Sequence, residues 1–538
     1  MSSKKVIVTH RGALRAKYKA GGWKRIQAAL QALIAADAAR DVQTEVVFLD
    51  AKTEIKRVGG AAVTSPLDAR QTKQAIDAVA RSKLPAYLMI LGGPDVVAMQ
   101  SLKNPTGDED PDVPSDLPYA CTAPYSRDIE KFLAPARVVG RLPGITGDTD
   151  PGYLVALIER ATRWSTQRAS RYRKPFGVSA HAWRGSTSKS LRKVFGSAEL
   201  EISPEAGPTW RKTLLGRLAH FINLHGALSS PSFYGDPDFP EAHRADVLAG
   251  RIREGTVVAA ECCYGAELYV PGEIGTSICN AYLAEGAYAF LGATTIAYGP
   301  ADDNGAADLI CQDFFRYLLE GASTGRALLQ ARQEFMRKSA PIDPIDLKTM
   351  AQFHLLGDPS IHPVKPAARR VTARGAPAIG MQPKARAQRR GHLQAQAAVI
   401  AATKATVGSC ADCKRSSDME ATLARLCSER GIQPVGKASS YSIRAAARPD
   451  LLRGNLAKTY AAGGSTYHLV PGQKQDGRAP AQPAGTIPAS GPVAASLVPR
   501  RRGQGRKARG PVRIQDRVVL VVRESEGKIV DLYEYVAR

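Results

Sequence analysis

Two short segments of this 538-residue chain carry groups that could do covalent chemistry. Phe221-Ile222-Asn223-Leu224 runs into His225-Gly226, and Val257-Val258-Ala259-Ala260 runs into Glu261-Cys262-Cys263-Tyr264-Gly265. An imidazole can hold a thiol as thiolate, the reactive form, and a thiolate can attack a carbonyl carbon. Glycine beside each group lets backbone approach a substrate closely, and the N–H groups of Gly226 and Cys262 could hold an oxyanion. Each piece alone is weak. A histidine at a strand end is more often structural, and cysteine is among the most buried residue types. The pair, at two strand ends, says more than either.

The elements that must position them alternate. Lys4–Thr9, Val46–Leu49, Ala86–Leu91, Gly177–Ala182, His220–Leu224, Val257–Ala260 and Tyr288–Leu291 read as apolar strands. Helical spacing marks Gly22–Ala36, Gln71–Arg81, Ala306–Glu320 and Gly325–Lys338. Strands alternating with helices predict an α/β fold, a doubly wound, mostly parallel sheet with helices on both faces. In such a sheet the carboxyl ends of the strands line one crevice, where ligands bind. His225 and the Cys262-Cys263 pair fall on that edge.

Composition bounds the rest. The chain is too long for one compact unit and carries no apolar run of membrane-spanning length. The N-terminus, Met-Ser-Ser-Lys-Lys, leads straight into a strand. With no apolar signal segment and only eight cysteines, a cytoplasmic, reducing location is the expectation. The formal charge of +24 is unevenly placed: from 363 onward 31 Lys and Arg face 11 Asp and Glu, a net +20, leaving +4 for the larger part.

The chain divides at about 362. A linker rich in Pro, Ala and Arg follows over 363–394. Then come a small α/β or helical segment over 395–470, with helical patterns at 396–406 and 418–430, and a basic low-complexity stretch over 471–512. A β-hairpin over 513–538 closes the chain.

The His-Gly strand followed by the Cys-x-x-Gly strand resembles the caspase-like clan of cysteine peptidases. Three further segments resemble the gingipain family in particular: Ser115-Asp116-Leu117-Pro118-Tyr119-Ala120, Val139-Gly140-Arg141-Leu142-Pro143, and Leu355-Leu356-Gly357-Asp358-Pro359-Ser360. Ala86–Asp95 also fits. The resemblance spans about residues 85–362. It implies a cysteine endopeptidase over 1–362 that needs no cofactor or metal. Cys262, in Cys-x-x-Gly register with Gly265, is then the nucleophile, His225 the base, and Asp116 the acid orienting the histidine. Cys263 is the rival nucleophile. One step along a strand turns a side chain to the other face, so only one of the two thiols can serve. A turn or cap role for Asp116 is as well supported as the orienting one.

In gingipains the loop after the strand following the nucleophile shapes the specificity pocket. Here it contains Tyr298, Asp302 and Asp303, whose acids could pair with a substrate guanidinium or simply cap the helix near Ala306. The expected partner is a protein substrate cut after basic residues. The chain's own Arg500–Arg509 is among the sites it could cut. Bacterial defence or cell death is the setting suggested by analogy with intracellular caspase-like proteases. Arg500–Arg509 could also neutralise nucleic-acid phosphates, but without interleaved aromatics a solvated tail is favoured. Cys410-x-x-Cys413 with Cys427 lacks a fourth zinc ligand at suitable spacing. The competing reading is a catalytically dead caspase-like adaptor whose basic C-terminal region binds a protein or nucleic acid.

Overall fold

The computed structural model describes residues 3–365 apart from 198, 301–302 and 339–341. Beyond them it describes 407–408, 415, 417–436, 438–443, 465–474, 517–525 and 528–538. The helical pattern at 396–406, Cys410, Cys413, Asp302, most of the linker and the Arg500–Arg509 run lie outside the described residues.

Ten strands form the main sheet. Nine come first along the chain: β1 (Ser3–Thr9), β2 (Val42–Phe48), β3 (Tyr87–Leu91), β4 (Val139–Leu142), β5 (Phe176–Ala180), β6 (Glu201–Ser203), β7 (Ala219–Asn223), β8 (Val257–Ala260) and β9 (Ala289–Ala293). A short strand, β10 (Tyr298–Pro300), lies outside this sheet, and β11 (Phe353–Gly357) is its tenth member. The order across the sheet is β2-β1-β3-β4-β11-β9-β8-β7-β5-β6. Every neighbouring pair is parallel except β9 with β11. The sheet is therefore two parallel halves joined back to back along one antiparallel seam.

Parallel neighbours need crossovers, and helices supply most of them. They are α1 (Arg11–Ala38), α2 (Ala69–Lys83), α3 (Gly152–Arg163), α4 (Arg184–Phe195), α5 (Ile278–Glu285), α6 (Ala306–Leu319), α7 (Thr324–Lys338) and α8 (Pro344–Gln352). The span α1 contains a break at Lys19 (φ 58°), and its later part is the helix that the periodicity of 22–36 predicts. Its opening turns bury only Leu14 and Tyr18, too sparse a pattern to register, and His10 caps them by accepting the Ala13 N–H at 3.0 Å.

Side chains alternate between two cores, one on each face of the sheet. Val178, Ala180, Ile222, Leu224, Val258 and Ala260 pack into one core together with α5 residues. Ala219, Phe221, Val257, Ala259, Ala289 and Leu291 pack into the other, with residues of α4, α6 and α7.

The C-terminal part adds β12 (Ser439–Ile443), β13 (Ser465–Lys474), β14 (Arg517–Ser525) and β15 (Lys528–Ala537), with α9 (Ser417–Glu429) beside them. The expected hairpin is β14–β15. It does not stand alone: its outer strand pairs antiparallel with β10, so the second sheet runs β10-β15-β14-β13-β12, with Val407–Gly408 beyond β12 and Ile432–Pro434 also on β13. A strand from the end of the sequence thus lies against the loop that follows the sheet's reactive edge.

Candidate active site

Glu261 continues β8, its N–H donating to the Ile222 carbonyl at 2.8 Å. The alternation set by the strand carries through the next residues. Cys262 follows Val258 and Ala260 into the first core, and its Sγ lies 4.0 Å from the Ile222 carbonyl. Cys263 follows Val257 and Ala259 into the second core, and its Sγ accepts the Ala297 N–H at 3.3 Å. Both thiols are buried and have raised pKa values. Burial is the main cause in each, and it pushes Cys263 to about 12.

His225 pairs with Tyr234 in a small antiparallel sheet (His225–Gly226, Ser232–Tyr234, Glu241–Arg244) just past β7. Its ring is wedged between Trp183 (centroids 4.4 Å apart) and Phe239 (4.8 Å). Nε2 lies 3.5 Å from Asp236 Oδ2. Asp236 in turn accepts the Ala182 N–H, at 3.0 and 3.2 Å. Burial raises the Asp236 carboxyl, but these bonds and His225 outweigh it, leaving its pKa below the usual carboxylate value.

Asp116 sits elsewhere. Arg141 grips it with two bonds, at 2.8 and 2.7 Å, and His354 Nδ1 lies 3.8 Å away. Burial would raise its pKa, but Arg141 holds it well below the usual range. The carboxylate beside His225 is Asp236, not Asp116. No motif marked Asp236, because its place depends on how the 226–244 excursion folds back.

Gly226 is needed where it stands. A Cβ there would lie 1.7 Å from the Cys263 carbonyl oxygen, so the two strand ends touch through backbone alone.

The expected specificity loop pairs with β15. The Tyr298 side chain is buried and donates to Asp108 at 2.8 Å, so only its backbone meets β15, opposite Ala537. Lys348 holds Asp108 and Asp110 (2.5 and 2.7 Å), and Asp110 also takes the Ile296 N–H (2.9 Å) and the Tyr264 hydroxyl (2.8 Å). This buried cluster fixes the wall on which β10 lies. Asp303 is exposed and pairs with Lys189 at the surface, so it does not face the crevice.

The acids that do face it are Glu261 and Asp308, and an arginine already fills the space between them. Arg538 is wholly buried, with Nη1 on Glu261, Nη1 and Nη2 on Asp308 (2.9 and 2.6 Å), and the guanidinium carbon 5.4 Å from the Trp183 ring. A Cβ on Gly299 would lie 1.9 Å from this guanidinium, so glycine leaves the room for it. The Arg538 N–H donates to the Ala297 carbonyl at 3.0 Å, and its carbonyl oxygen accepts the Cys263 N–H at 2.7 Å. Burial and Asp308 raise the Glu261 pKa far above normal, and Arg538 pulls it part of the way back. The amide donor at this site is that of Cys263, one residue beyond the expected Cys262. Sequence reading could have found Glu261, which lies two residues before Cys263 and so on the same face. Asp308, in the first turn of α6, carried no such signal.

The comparisons with known proteins bear on this edge of the sheet. Residues 243–364 match the family model of peptidase family C25. Over that segment the chain is similar to the gingipain family, and of the motifs that resemble it the Cys262–Gly265 and Leu355–Ser360 segments fall inside the match. The matched segment holds β8, both thiols, Glu261, Asp308 and β10, but not His225. A solved structure described as "Structure of Protease" is 14% identical over 68% of this chain and 79% of its own, with a TM-score of 0.45. The Saccharomyces cerevisiae separase–securin complex is 13% identical over 42% of this chain and 14% of its own, with a TM-score of 0.25. Comparison with curated proteins gives no match. Among the described residues, no helix is long and apolar enough to cross a membrane, and no cluster of metal-ligating side chains occurs.

Proposed function

We propose that this protein is a cysteine endopeptidase that cuts after arginine. Cys263 is the nucleophile, His225 the base, Asp236 the acid that orients it, and Glu261 with Asp308 the specificity pocket. The observation that carries this reading is Arg538: guanidinium between two buried carboxylates, N–H on Ala297, carbonyl oxygen on the Cys263 N–H. A substrate arginine held in that pose presents its carbonyl carbon to the reactive edge, with the oxygen already on an oxyanion donor.

Two facts favour Cys263 over Cys262. Its own N–H holds the carbonyl, and it shares a face with Val257, Ala259 and Glu261, whereas Cys262 points into the opposite core.

Asp236 takes the Nε2 side of the ring, leaving Nδ1 to remove the thiol proton. The thiolate then attacks the carbonyl carbon. The peptide C–N bond breaks, and His225 returns the proton to the leaving amine. Water, deprotonated by the same histidine, hydrolyses the thioester.

The test is a peptidyl-arginine acyloxymethyl ketone applied to the Arg538→Ala variant, whose pocket is empty, with the adduct mapped by mass spectrometry. Labelling at Cys263, abolished by Cys263→Ala and His225→Ala, is the expected result. An adduct on Cys262 would move the nucleophile back by one. A folded protein that takes no label would leave the adaptor reading in possession.

A further inference from the structure

The residues in the groove belong to the chain itself. We propose that β15 and Arg538 act as an intramolecular pseudosubstrate, and that Tyr535-Val536-Ala537-Arg538 spells the kind of peptide the groove accepts. This deepens the peptidase reading and rests on it for the meaning of the groove.

The pairing is that of an extended peptide laid on a loop strand: β10 lies outside the main sheet, and among the described residues its strand partner is β15. Tyr298, Gly299 and Pro300 face Ala537, Val536 and Tyr535 in antiparallel register, and the Arg538 N–H on Ala297 extends the ladder by one bond. Backbone pairing of this sort gives affinity without sequence preference, which the side chains must supply.

Arg538 has the acid pocket. Ala537 is nearly covered and packs in the second core, so a large residue next to the arginine would not fit. Val536 turns the other way and stays partly exposed. Tyr535 is buried, with its hydroxyl on Asp343, whose carboxylate also takes the Asp346 N–H at 2.8 Å. The accepted peptide is therefore aromatic, open, small, arginine.

A purely structural edge strand would not need a charged side chain buried between two acids, nor a carbonyl set on the Cys263 N–H. Burying a guanidinium carries a desolvation cost, which suits a site made to bind arginine better than a surface made to be covered. The occupant is tethered through its pairing with β14. Tethering gives it an effective concentration on the order of millimolar, so a free peptide must compete against it. Turnover then waits for something to lift β15.

Binding can be read without catalysis. A fluorescent Tyr-Val-Ala-Arg peptide is titrated into full-length Cys263→Ala protein, with and without Arg538→Ala, by polarisation. At least tenfold tighter binding in the double variant is expected, with Arg538→Lys staying closed and a Tyr-Val-Ala-Glu peptide failing to bind. Should Arg538→Ala disturb folding, a specific protease site inserted between Ser525 and Lys528 and cut after folding frees β15 with the pocket intact. That cut should raise affinity as Arg538→Ala does. Equal affinity in open and closed forms, no binding in either, or no preference for arginine over glutamate would overturn the proposal. If peptide binds only to the open form but no form cuts it, the groove stands and the peptidase reading falls. If open and closed forms cut arginine peptides equally fast, the peptidase reading stands and the pseudosubstrate falls.

Discussion

Among the described residues, two arginines are fully buried against carboxylates, and they differ in what they are for. Arg141 lies within β4, between β3 and β11, with Asp116, the Gly92 carbonyl and the Val97 carbonyl as partners. Arg538 follows β15, which reaches its partners Glu261 and Asp308 only through edge pairing with β10. The chemistry of the two pairs is the same. In the first the cation belongs to the strand that forms the core and cannot leave without unfolding it. In the second the acids belong to the sheet and the cation is brought by a strand from far along the chain. A buried ion pair marks a binding pocket when one partner is carried by a separable element.

The sharpest break of this comparison is to remove the acids from each side. With the groove opened by Arg538→Ala, Glu261→Gln combined with Asp308→Asn should lower kcat/KM on arginine peptides by about 10³-fold or more, because a substrate guanidinium would then be buried unpaired. Steady-state kinetics read this, and a loss below tenfold would remove the pocket assignment.

Asp116→Asn should act on stability instead. Stranding Arg141 should cost about 3 kcal/mol in denaturant unfolding while leaving turnover per folded molecule close to wild type. The pH dependence adds a sign. The Asp116 pKa is depressed in the folded state, so its contribution is complete above the ordinary carboxylate range and lost as pH falls through it toward the folded value. The stability gap between wild type and Asp116→Asn should therefore narrow below about pH 4. A large turnover defect in Asp116→Asn at full stability would restore the catalytic role first expected of it.

Asp236→Asn tests the orienting acid and should slow turnover by about 10²-fold, less than loss of the histidine itself, since it aligns the ring and steadies its charge. Asp303→Asn should change kcat/KM by less than about twofold, because this surface carboxylate pairs only with Lys189.

Much of this was legible in the sequence. The alternation of apolar strands and amphipathic helices gave the α/β class, and β8 falls where the Val257–Ala260 run predicts. The His-Gly and Cys-Cys strand ends marked the reactive edge, because parallel strands buried on both faces read as short apolar runs that stop where function begins. Val139–Leu142 lies within one segment singled out by resemblance, and Phe353–Gly357 overlaps the start of another, Leu355–Ser360. The register of the thiols was less legible. Motif spacing points to Cys262, whereas the proposal of Cys263 rests on strand parity counted from Glu261 and on the two thiols packing on opposite faces.

What the sequence determined by itself was local: periodicity, strand ends, and residues able to attack a carbonyl. The partners of those residues were decided by the tertiary structure. Asp236 reaches His225 because a loop folds back, Asp308 faces Glu261 because α6 packs on that face of the sheet, and Arg538 arrives through a strand pairing 277 positions from Glu261. Pairings over such distances leave no periodic trace in the chain. They depend on which edge is left open and which buried charge still lacks a counterion, and neither exists until the sheet has formed.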